Sequence, residues 1–141
     1  MSWLEDIAIG RRLRPRVVHR LPGRLRLHVP LLTDLPDDWL EVATSVERIV
    51  ASANGVRRVR ADRRTGSLLI AYDPTALGEA DVLGYLRSLL GLLGRHRHRF
   101  AGLSNGRVTR VGRRLERWVA DHTRRRPVLD ATMDIPDDVW T

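Results

Sequence analysis

At 141 residues, with 43% apolar and 30% charged side chains, the chain can build one hydrophobic core but is too short for two ordinary ones. The absence of cysteine excludes a disulfide framework, a thiolate metal site and a cysteine nucleophile. The net charge of +8 points to an anionic partner, and the longest apolar run, Leu89 to Leu93 with Gly91 inside it, is far below the roughly 20 residues of a membrane span.

Residues 1–16, MSWLEDIAIGRRLRPR, place acids before bases and lack an apolar signal core. They are expected to be an N-terminal extension of a cytoplasmic protein. From Arg24 to Pro30, Leu25, Leu27 and Val29 alternate with Arg24, Arg26 and His28, the period-2 pattern of a half-buried strand. Residues 34–55 then read as a helix. Asp34, Pro36 and Asp37 open it, Trp39, Val42, Ala43, Val46, Ile49, Val50 and Ala53 form its apolar stripe, and Asn54-Gly55 ends it. Two further strands, Val56 to Asp62 and Ser67 to Asp73, flank the turn Arg63-Arg64-Thr65-Gly66, where glycine supplies a positive φ.

After Pro74, residues 78–94 form a second helix whose stripe is Val82, Leu86, Leu89, Leu90 and Leu93. Arg95 to Ala101 is the candidate for a polar fourth strand at a sheet edge. The order predicts an α+β fold, a ferredoxin-like β-α-β-β-α-(β) sandwich over residues 17–101. Residues 102–126 follow as a basic amphipathic helix, with Val108, Val111, Leu115, Trp118 and Val119 opposite Arg110, Arg113, Arg114 and Arg117. Residues 127–141 form an acidic and apolar tail.

Charge follows the same divisions. All 25 basic residues are arginine, which reflects codon usage as much as selection, so their placement says more than their number. Residues 21–94 carry nine arginines and nine acids, residues 95–126 carry eleven and two, and residues 127–141 carry four acids and no arginine. A neutral domain is therefore followed by a positive arm and a negative end.

The segments GRLRLHVP, NGVRRV and RTGSLLIAYDP, within Val17 to Gly94, resemble the heavy-metal-associated domains. These are the ferredoxin-like modules of copper chaperones and metal-transporting P-type ATPases, and the closer likeness is to their cysteine-less branch. The resemblance implies a place in metal handling, with a P-type metal ATPase as the larger protein partner. In metal-carrying members, the loop between the first strand and first helix holds two cysteines separated by two residues. Here that loop reads Pro30-Leu31-Leu32-Thr33-Asp34-Leu35-Pro36, without a soft ligand, so thiolate chemistry does not transfer to this chain.

Three groups of residues carry the remaining chemistry. His28, His96 and His98 would approach one another if the fourth strand formed beside the first, and imidazoles suit zinc, copper or nickel; polar edge decoration is the plainer explanation. Arg110, Arg113, Arg114 and Arg117 present a surface for a protein partner, anionic lipid or nucleic acid, while the apolar side of their helix either enters a membrane interface or covers the edge or open face of the sheet. Met133, Ile135, Val139 and Trp140 make the tail a docking peptide for a larger protein, or else let it lie across the chain's own arginine helix.

The open sheet face would present Arg24, Arg26 and either Arg58 or Arg60, similar in charge to an RNA-binding platform but without the exposed aromatics that stack bases. With neither lysine nor a clustered glycine loop there is no P-loop, and the paired acids Asp37-Asp38 and Asp137-Asp138 are neighbours in sequence rather than a catalytic dyad. The expected role is non-enzymatic and without a cofactor: an adaptor acting by protein association. A histidine-based metal carrier and an arginine-helix polyanion binder are the alternatives.

Overall fold

A computed structural model describes residues 15–33, 40–125, 128–130 and 132–141. The predicted helix-opening residues Asp34, Pro36, Asp37 and Trp39, most of the N-terminal extension, and the Arg126-Pro127 boundary lie outside the described residues. Two antiparallel hairpins build the sheet. The first joins β1 (Arg16–Leu21) to β2 (Arg24–His28), and the second joins β3 (Val56–Asp62) to β4 (Ser67–Tyr72). The strand order is β1-β2-β4-β3, antiparallel throughout.

Alternation sets the two faces. Leu25 and Leu27 of β2 point into the core with Leu68, Ile70 and Tyr72 of β4, while the intervening residues look the other way. The β3–β4 turn needs Gly66, whose φ is +72°; a Cβ there would lie 2.8 Å from the His28 ring and 2.9 Å from Thr33.

The connection after β2 is the single turn α1 (Pro30–Thr33), and α2 (Leu40–Ala51) follows. Helix α3 (Glu79–Arg95) begins where the Asp81 carboxylate reaches back to the Gly78 N–H at 2.8 Å, a backward cap that satisfies one orphan donor. Both long helices cover the same sheet face. Val46, Ile49 and Val50 of α2 and Val82, Tyr85, Leu86, Leu89 and Leu90 of α3 share one cluster with the inward strand residues. The Tyr85 hydroxyl donates to the Ile49 carbonyl at 2.9 Å and ties α3 to α2.

The predicted fourth strand is corrected. Arg95 ends α3, and Arg97–Ala101 form the short helix α4. The His96 N–H bonds back to the Leu92 and Leu93 carbonyls, so the chain keeps turning and never extends. The edge position beside β2 is also taken, because β1 pairs there from Arg16 to Leu21. The fold is thus a mixed α+β arrangement that fits the ferredoxin-like class broadly, with its outer strand supplied from the N-terminal side.

Helix α5 (Asn105–His122) forms a further layer. Val111, Leu115 and Val119 are buried, and the helix packs on α2, approaching so closely that a Cβ on Gly112 would lie 2.8 Å from Ser45 Oγ. It was expected to cover the edge or open face of the sheet; it packs on a helix instead, where Val111, Leu115 and Val119 join Val46, Ile49 and Val50 in one core. The core continues through Leu129, Ile135 and α6 (Asp137–Trp140), so no break in packing falls at residue 101.

Candidate docking surface

The long helices pack on the face that carries Leu25, Leu27, Leu68 and Ile70, and among the described residues the second face of the sheet is left open. Cross-strand pairing sets three rows upon it: Arg16, His28, Ser67 and Asp62 at the β3–β4 turn end, then His19, Arg26, Leu69 and Arg60, then Leu21, Arg24, Ala71 and Arg58. The central strand β4 contributes a half-buried apolar strip, Leu69 and Ala71. Arg24 and Arg26 of β2 flank it on one side, and Arg58 and Arg60 of β3 on the other. All four arginines are exposed, and none has an ion-pair or hydrogen-bond partner among the described residues. Leu21 extends the apolar surface at the β1 edge, 51% exposed, and the adjacent Val18 sits at a register irregularity and is 56% exposed. A shallow depression lined by Arg26, Arg60, Arg64, Ser67 and Leu69 runs to the β3–β4 turn.

The arginines of this face were legible from strand alternation; Leu21, His19 and the strip on β4 were not. Their signal was present in Val17-Val18-His19-Arg20-Leu21 followed by Pro22-Gly23, a turn dipeptide between two extended runs.

The histidines do not assemble. His28 lies at the end of β2 over Gly66, His96 joins α3 to α4, and His98 is exposed on α4. Among the described residues no three histidine, aspartate or glutamate side chains come together as a metal site. Sequence alternation had placed His96 and His98 on one strand face; with α4 helical, that geometry is gone. His96 is instead engaged locally, with Nδ1 3.0 Å from the Leu92 carbonyl and Nε2 accepting the Ile135 N–H at 3.4 Å.

The tail lies on its own chain. Ile135, Val139 and Trp140 are buried and Met133 is half-buried against the same core. The Trp140 ring meets Phe100 edge-on at 4.8 Å, and the Arg99 guanidinium lies 4.8 Å above it. Arg95 bonds the Thr132 and Met133 carbonyls and pairs with Asp134 at 3.1 Å, and Arg99 pairs with Asp137 at 3.0 Å. Arg107 holds the Trp140 carbonyl, and Arg114 reaches the Asp138 carbonyl and the Thr141 hydroxyl. Arg114 is thereby committed to the tail, whereas Arg110, Arg113 and Arg117 stay exposed. Because Val111, Leu115 and Val119 are buried, α5 offers no free apolar stripe for a membrane interface.

Two turns share one device. The Asp73 carboxylate accepts from the N–H and hydroxyl of Thr75, and the Asp130 carboxylate does the same with Thr132. These hydrogen bonds hold both acids below the usual carboxylate range. The first turn shapes the exit from β4 and the second the entry to the tail, so neither acid is free for proton transfer.

At the position of the metal loop in the domains this sequence resembles, Leu32 points into the core, 1% exposed, and the Thr33 hydroxyl donates to the Pro30 carbonyl at 2.8 Å. Within the described part of that loop, Pro30–Thr33, Leu32 thus belongs to the hydrophobic core.

Fold and surface together define a small α+β module that, among the described residues, exposes a basic sheet face. The family described as heavy metal associated domain 2 matches residues 14–135, and the chain belongs to that family. The match reaches beyond Val17 to Gly94, taking in β1, α5 and most of the tail. No curated protein and no solved structure matches the chain. No helix among the described residues is long and apolar enough to cross a membrane.

Proposed function

We propose that this protein is a non-enzymatic accessory module of metal handling, acting by association with a larger protein such as a metal-transporting P-type ATPase. Membership of the heavy-metal-associated family supports the metal context. The observation that carries the adaptor reading is Leu32. Its side chain is buried in the core, in the segment where thiolate relatives carry their ligands, and the chain has no cysteine, so the scaffold persists where that ligand set does not. Function then lies in surfaces, and the open sheet face, with Arg24, Arg26, Arg58 and Arg60 exposed around Leu69 and Ala71, is one that the described residues leave unengaged.

Two measurements test this. Titration with zinc(II), nickel(II) and copper(I) at micromolar concentration, followed on the histidine ring signals, is expected to leave all five unshifted; a saturable shift of His28, His96 and His98 together would replace the adaptor with a carrier. Co-purification of the full chain with a metal-transporting ATPase from membranes is expected to give a stoichiometric complex that survives metal chelation, and its absence would remove the partner.

A further inference from the structure

We infer that the open sheet face is a cradle for one acidic amphipathic helix of a partner protein, lying along β4 with its apolar stripe on Leu69 and Ala71. This rests on the adaptor reading and adds the chemistry of what is adapted.

The fit follows from dimensions and charge. Neighbouring strands lie about 4.8 Å apart, so β2 and β3 stand roughly 10 Å apart on either side of β4, close to the diameter of an α-helix. A helix above β4 therefore has an arginine row along each flank, Arg24 with Arg26 and Arg58 with Arg60. An apolar stripe would meet Leu69 and Ala71, and carboxylates on both sides of that stripe would meet guanidinium groups that bind carboxylates two-pronged. Leu21 extends the apolar contact at one edge.

Nucleic acid fits less well. Among the described residues the face carries no tyrosine, tryptophan or phenylalanine for base stacking, its rings being the imidazoles of His19 and His28 while Tyr72 is buried on the opposite side, and a phosphate backbone has no use for a leucine and alanine strip. The chain's own tail is placed elsewhere, with Asp134 and Asp137 paired to Arg95 and Arg99 and with Ile135, Val139 and Trp140 buried in the core.

The test uses the full chain and a designed helical peptide with a leucine stripe bordered by glutamates. The controls are a peptide with its glutamates moved opposite the stripe, a single-stranded oligonucleotide, and concentration-dependent self-association. Backbone amide shifts are expected to cluster on β2, β3 and β4 and to reverse in about 500 mM salt, consistent with screening of exposed charges. Charge reversal by Arg26→Glu with Arg60→Glu is expected to weaken binding at least about tenfold. Arg110→Glu with Arg113→Glu should leave it unchanged, with circular dichroism of both variants like that of the parent.

Equal binding of the control peptide, tighter binding of the oligonucleotide to the same strands, dimerisation through this face, or shifts confined to α5 would each overturn the proposal. The two readings fail separately. Coordinated metal on the histidines would end the adaptor reading while leaving a mapped cradle in place; a stable ATPase complex with no peptide shifts on the sheet would end the cradle alone.

Discussion

Trp140 and His96 lie face to face, ring centroids 6.0 Å apart and planes inclined by 29°, although 44 positions separate them in sequence. The contact pins the C-terminal residues to the junction of α3 and α4. The Trp140 indole N–H is buried without a hydrogen-bond partner among the described residues, so the ring is held by packing and by the Arg99 guanidinium over its face. Trp140→Ala should therefore cost about 3–5 kcal/mol in urea unfolding. Trp140→Phe, which deletes the unpartnered donor and keeps most of the contact, should stay within about 1 kcal/mol of the parent. Equal losses from the two substitutions would show that the ring is not part of the cooperative core.

Gly112 brings α5 onto α2. A Cβ there meets Ser45 Oγ at 2.8 Å, which rotation of the serine can relieve, but a branched side chain has no such escape. Gly112→Leu is expected to destabilise by about 1–3 kcal/mol through overpacking and to raise hydrogen exchange across α5. Gly112→Ala should be close to neutral, because about 1 kcal/mol of helix propensity offsets the adjustment.

Gly66→Ala acts through backbone and contact together. Its φ of +72° disfavours any L side chain by roughly 1–2 kcal/mol. The new methyl would also press on His28 and Thr33. A fall in the urea midpoint, with shifts of the His28 ring signals, is the expected outcome; an unchanged midpoint would mean that the turn rearranges freely.

Alkaline stability should hinge on Tyr85. Burial pushes its phenol well above the ordinary value of 10.0, against a weaker opposing contribution from Ser52. The folded state thus keeps its proton while the unfolded state releases it. The stabilisation is complete below about pH 10 and declines as pH rises beyond it. Urea midpoints should fall above that pH in the parent and fall less steeply in Tyr85→Phe, which at neutral pH loses only the bond to Ile49, about 1 kcal/mol. Parallel curves would contradict this assignment.

Much of the fold is legible in local pattern. Leu25 and Leu27 against Arg24 and Arg26 reveal β2 and its two faces, Gly66 marks the hairpin turn, and the stripe from Val82 to Leu90 reveals α3. Two readings depended on unseen partners. RHRHRF alternates as an edge strand would after the stop signal of Gly94, yet the helix runs through that glycine to Arg95 and the carbonyl partners of the His96 N–H lie three and four residues back. The predicted docking tail is apolar because it packs on its own chain, and that cannot be told from exposure to a partner until Phe100, Arg99 and Trp140 are placed together.

The sequence alone determines that no thiolate centre can exist, that positive charge concentrates late in the chain, and that two hydrophobic helices accompany alternating strands, because residue type and spacing act over a few positions. Only the tertiary structure decided which strand occupies the edge beside β2, which arginines the tail engages, and that four others stand unengaged around Leu69 and Ala71. Those outcomes are competitions between distant segments for the same edge, face or charge, and their winners are set by packing across the whole chain.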